Sequence, residues 1–94
     1  MRTLFAGTNV CGDLTIRYFL LAEELGSIGE NYGILVESGQ ERETIRGITL
    51  SQRRIETLLC ALMRGGVTAV TARDVVEDWL LAQAAEPGDS DKPA

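Results

Sequence analysis

Three groups of side chains in this sequence carry enough chemistry to weigh as sites. They are the carboxylates Asp74, Glu77 and Asp78, the thiol of Cys60, and the arginines Arg53, Arg54 and Arg64. Carboxylates spaced i, i+3 and i+4 share one helical face and offer the hard oxygen ligands that a magnesium ion prefers. Acidic residues early in a helix also stabilise its positive end, and Asp74 fits a capping box. The chain has no phosphate-cradling loop to complete a magnesium site, so no metal and no cofactor are expected.

Cys60 stacks with Glu56 and Arg64 at i−4 and i+4 on the flank of a predicted helix, beside Arg53. A nearby cation lowers a thiol pKa, but Glu56 opposes it, and mid-helix cysteine commonly serves as a small apolar filler. Arg53, Arg54 and Arg64 fit first a solvated helix face, with Arg64 favourable at the helix end; the sharper reading makes Arg53 and Arg64 anchors for an acidic partner surface, since arginine is favoured in interface hot spots. Gly26, Gly29 and Gly33 lie between two predicted strands. A dinucleotide loop needs its glycines between a strand and a helix, so these are read as hairpin glycines.

Most decisive is an absence. The chain has no histidine, which removes the usual general base near neutral pH and the usual partner of a serine or cysteine nucleophile. No enzyme is expected. The net charge of −5 argues against nucleic acid as a partner, because such binding needs a basic footprint. Eight of the nine basic residues are arginine, which favours bidentate protein contacts over diffuse phosphate attraction. No apolar run approaches the twenty or so residues of a membrane span, and Met1-Arg2-Thr3-Leu4 opens no signal-peptide pattern, so a cytoplasmic protein is expected. Cys11 and Cys60 are then read as reduced thiols.

Positioning any site falls to a small set of elements. Residues 1–13 form an N-terminal segment available as an edge strand, 14–85 a single domain, and 86–94 a disordered acidic tail. Thr15–Ala22 is rich in β-branched and aromatic residues and predicts a strand. Tyr32–Glu37 predicts a second, and Glu43–Arg46 a short third. Ser51 is placed to cap a helix carrying the stripe Ile55, Leu58, Leu59 and Leu62, stapled by Leu50 and stopped by Gly65-Gly66. A second helix is predicted to start at the capping box Thr71-Ala72-Arg73-Asp74, stapled by Val70 and Val75. Val75, Val76, Trp79, Leu80 and Gln83 form one face, with Asp74, Glu77 and Asp78 opposite, and Trp79 is read as core. The fold class expected is α+β. It is a small antiparallel sheet of three strands, with a fourth available, and two C-terminal helices on one face.

Strand alternation then assigns the faces. Ile16, Tyr18, Leu20, Ile34, Val36 and Ile45 point toward the helices. Arg17, Phe19, Leu21, Glu23, Leu35, Glu37 and Arg46 point the other way. An ordinary solvated face would not carry Phe19, Leu21 and Leu35, which forgo roughly 1.5–3 kcal/mol each when left wet. Ringed by Arg17, Glu23, Glu37 and Arg46, they have the make-up of an interface core with a polar rim. The N-terminal segment, folding Leu4 and Phe5 over the patch, or a second chain would cover it.

The stretches Tyr18-Phe19-Leu20-Leu21 and Tyr32-Gly33-Ile34, the Ser51 helix and the closing Asp74-Val75-Val76-Glu77-Asp78-Trp79-Leu80 carry a resemblance. Across most of residues 15–81 the chain resembles an uncharacterised family of short bacterial proteins classed as a domain of unknown function. The resemblance implies a compact bacterial cytosolic protein and supplies no activity and no functional residue.

The leading expectation is a non-enzymatic module that binds another protein or itself, as a homodimer through the sheet. Its binding residues are Phe19, Leu21, Leu35, Arg17, Arg46, Arg53 and Arg64. One alternative is a phage or mobile-element inhibitor of a bacterial defence system, a role that suits a small acidic protein without catalytic groups. Another is a small-ligand or nucleotide sponge using Arg17, Arg46 and Tyr32.

Overall fold

A computed structural model describes residues 1–85 of the chain. The expected acidic tail, 86–94, lies outside the described residues. Four strands, β1 (Arg2–Cys11), β2 (Leu14–Glu24), β3 (Glu30–Ser38) and β4 (Glu41–Thr49), precede two helices, α1 (Gln52–Gly65) and α2 (Ala69–Ala85). Consecutive strands pair antiparallel in the order β1-β2-β3-β4. The fold is thus α+β, with a four-stranded meander and both helices on one face. The N-terminal segment supplies the fourth strand at the sheet edge.

Between the layers the alternation of β2 and β3 places Ile16, Tyr18, Ile34 and Val36, all fully buried. Ile45 of β4 joins them, with Leu20 partly buried alongside. From α1 come Ile55, Leu58, Leu59 and Leu62, the predicted stripe. Each such side chain contributes on the order of 1.5–3 kcal/mol by leaving water. The Tyr18 hydroxyl crosses the core to donate to the Val67 carbonyl at 2.7 Å, which satisfies a polar group on a fully buried side chain.

Ser51 caps α1 as expected, its side chain accepting from the Arg54 amide. Gly66 ends the helix with φ 62°, a left-handed conformation only glycine adopts without strain. Leu50 does not serve as the predicted staple and stays exposed.

Helix α2 begins at Ala69, two residues before the predicted capping box. The cause is tertiary. The buried Ser38 hydroxyl accepts from the Ala69 amide at 2.9 Å, while the Thr68 carbonyl accepts from the Thr71 amide. Asp74 therefore lies past the first turn rather than in a cap, and Val70 is exposed rather than stapled. The helix packs through Ala69, Ala72 and Val76, with Val75 and Trp79 half-buried beside them. Leu80, assigned to the packed face, is exposed.

Candidate functional site

The sheet face turned away from the helices is organised in rows that run across the strands. Antiparallel register aligns Phe5, Phe19, Leu35 and Thr44 in one row. The Phe5 and Phe19 rings meet edge to face, centroids 5.5 Å apart. The next row holds Thr3, Leu21 and Gly33. Leu21 is only 4% exposed although no helix lies over it. Phe19 and Leu35 are half-buried, and Phe5 is 60% exposed. An apolar band thus crosses the sheet and opens at the β1 edge.

Charged pairs flank the band on both sides. On one side Arg17, Glu37 and Arg42 occupy a single row, with both arginines bonded to the Glu37 carboxylate at 3.0 and 2.6 Å. The hydrogen bond from Arg42, aided by Arg17, holds the Glu37 carboxyl below the usual range despite partial desolvation. On the other side Arg46 of β4 reaches across β3 to Glu23 of β2. Beside this pair Gly33 lets the β4 backbone come close: a Cβ there would lie 2.3 Å from the Ile45 carbonyl oxygen. It is a close-approach glycine inside β3 and not, as expected, a hairpin glycine.

The predicted binding residues do not all share this surface. Phe19, Leu21, Leu35, Arg17 and Arg46 do. Arg53 and Arg64 lie on α1, in the other layer, where they border a shallow depression with Glu56 and Cys60. Among the described residues no ion pair engages either one. The trio proposed for a small ligand is also split. Tyr32 has the same parity as Ile34 and Val36, so it faces the helices while Arg17 and Arg46 face away. Nor does the N-terminal segment fold over the patch. Strand alternation sends Phe5 to the open face and Leu4 to the opposite one.

A second feature escaped the sequence reading altogether. Between the first half of β1 and α1 lies a groove of about 610 Å³. Leu4, Leu59 and Met63 line it, with the Cys60 thiol at the side and Arg2, Glu30 and Tyr32 at one end. Arg2 bonds Glu30 at 2.6 Å and Tyr32 donates to the same carboxylate at 3.1 Å. The Arg2 hydrogen bond holds Glu30 low, while burial raises Tyr32. Only one signal hinted at this pairing, the glycine at position 7, where a Cβ would meet the Met63 sulfur at 2.6 Å.

Asp74, Glu77 and Asp78 are exposed on α2. Among the described residues no group of three or more acidic or cysteine side chains is drawn close enough to hold a metal ion. Among the described residues no helix is long and apolar enough to cross a membrane.

A family model described as a family of unknown function, DUF6514, matches residues 6–82, and the chain belongs to that family. No curated protein and no solved structure matches the chain.

Proposed function

We propose that this chain is a non-enzymatic protein–protein interaction module whose contact surface is the open face of its sheet. The observation that carries the reading is the row Phe5–Phe19–Leu35, apolar across three strands and bordered by charges already paired with each other. Arginines neutralised by neighbouring carboxylates are poor anchors for a free anion. They make a suitable rim, because docking need not strip an unpaired charge of water. Four strands of nine to eleven residues present roughly 20 by 30 Å, about 600 Å². That is somewhat less than the ~800 Å² per partner of a standard interface.

Phe19→Glu and Leu35→Glu test the reading by light scattering and by affinity capture with the purified chain. Loss of a partner or of a dimer, with circular dichroism unchanged, is the result expected. Variants that keep both the mass and the partner set of the wild type overturn it.

A second reading, a small-ligand binding protein, has one observation in its favour. The groove between β1 and α1 has a volume within the usual 300–1,000 Å³ range of ligand sites and mixes apolar walls with a polar end. Native mass spectrometry of gently purified protein decides it: a retained small mass lost in Leu4→Arg, at an exposed residue of the groove wall, supports the reading, and a bare chain mass removes it.

A further inference from the structure

The two edges of the sheet are protected unequally. β4 carries Glu41, Arg42, Glu43 and Arg46 within its nine residues, the charges by which edge strands discourage pairing. β1 carries one charge, Arg2, in ten residues, while Leu4, Phe5 and Val10 are exposed. β1 pairs with β2 alone, so its outer side offers a row of backbone donors and acceptors that another strand would satisfy.

The register of β1 says which strand fits. Its pairing with β2 shifts between Phe5 and Gly7, leaving Ala6 as a bulge. Before the bulge the open-face residues are Thr3 and Phe5, and after it Thr8 and Val10, so the parity changes midway. Cross-strand partners in an antiparallel pair point to the same face. When β1 is laid antiparallel against an identical β1 in full overlap, Thr3 meets the second copy's Val10 and Phe5 meets its Thr8. Leu4 likewise meets Asn9, both on the helix face. Each pair that excludes the bulged Ala6 agrees in face. Without the bulge, the same overlap would set each open-face residue against a helix-face one. Charge agrees as well. Arg2, already paired with Glu30, stands at one end of β1 and the acidic Asp13 just past the other, so antiparallel pairing sets no like charges against each other at either end.

We infer that two copies of this chain join edge to edge along β1, about a two-fold axis between Ala6 and Gly7. The result is a continuous eight-stranded sheet. The two Phe5 rings become diagonal neighbours, and the apolar bands of both open faces merge into one surface. The inference rests on the reading of the chain as an interaction module, and it uses a different surface from the face tested by Leu35→Glu.

Light scattering of the full chain should give twice the chain mass, falling to one chain in Thr8→Asp, which sets a charge near the axis, and remaining double in Leu35→Glu. The converse, a dimer lost in Leu35→Glu and kept in Thr8→Asp, overturns the edge pairing while supporting the face. A chain that stays monomeric at all concentrations overturns it as well. Register is read by cross-linking in a Cys11→Ser, Cys60→Ser background. Thr3→Cys with Val10→Cys should yield a covalent dimer under mild oxidation, and Thr3→Cys with Thr8→Cys should not. Equal yields from both pairs refute the register.

Discussion

The hydroxyl of Ser38 accepts a hydrogen bond from the Ala69 amide at 2.9 Å, joining the end of β3 to the first turn of α2. Ser38 is 5% exposed, so neither group has water in reserve. Ser38→Ala leaves a helix-start donor unpaired. We expect a loss of about 1–3 kcal/mol in urea unfolding, with faster hydrogen exchange at Ala69. An unchanged midpoint would show that another acceptor serves that amide.

Two glycines in the strands separate rigid crowding from soft crowding. At Gly33 a methyl would sit 2.3 Å from the Ile45 carbonyl oxygen and 2.9 Å from the Arg46 Cα, both backbone atoms. At Gly7 it would meet only the Met63 sulfur, part of a flexible side chain. Gly33→Ala should cost about 1–3 kcal/mol and Gly7→Ala less than about 1 kcal/mol, read as shifts in thermal midpoint. The reverse order would contradict the strand spacing at β3–β4.

Tyr18 makes stability depend on alkaline pH. Burial first, and the Cys11 thiol second, push its hydroxyl up to about 12. The unfolded chain gives up that proton near 10. The folded protein therefore holds the extra proton between about 10 and 12, and stability falls as pH rises through that window, by on the order of 2–3 kcal/mol. Below about 10 the contribution is complete. Tyr18→Phe removes this slope. It also leaves the Val67 carbonyl unbonded, costing about 1–2 kcal/mol at neutral pH. Tyrosinate absorbance during alkaline titration checks the order: Tyr32 is also raised, but the step near 12 should vanish in Tyr18→Phe.

Glu37 sets a smaller, acid-side dependence. Arg42 and Arg17 hold its carboxyl below the ordinary range. Its contribution is complete above about 4.3 and is lost as pH falls through the lower folded value. Both arginines are more than half exposed, so the pairs are worth less than about 1 kcal/mol each. Glu37→Gln should lower the unfolding midpoint slightly at about pH 6, and the difference from the wild type should shrink as acid protonates the wild-type carboxylate.

Much of this architecture was legible from period alone. The parity of β2 and β3 sorted Tyr18 and Val36 from Phe19 and Leu35 without error, because a strand alternates strictly. Ser51 and Gly66 marked α1 by local chemistry that the fold did not override. The misses have tertiary causes. β1 was obscured by Gly7, Asn9 and Gly12, whose strand conformation or turn is supported by β2 and α1. α2 starts early because Ser38, thirty-one residues away, supplies its acceptor. β4 extends past the predicted Glu43–Arg46 because its polar side chains find partners, among them Arg73 on α2 for Glu43. Around the candidate surface, the apolar trio was readable. The mutual neutralisation of its rim was not, because that depends on which row each charge enters.

β2 presents carbon on both of its sides, a trait with a cost during folding. A slip of one residue would exchange Tyr18 and Leu20 for Phe19 and Leu21 beneath α1, and the exchange loses little greasy contact. Fidelity must then come from discriminating groups: a phenol that finds the Val67 carbonyl in one alignment only, and a glycine at position 33 that tolerates one neighbour only. Nascent chains deprived of either should populate mispaired, sticky forms, and their yield of correctly assembled protein should suffer before any equilibrium measurement registers the defect.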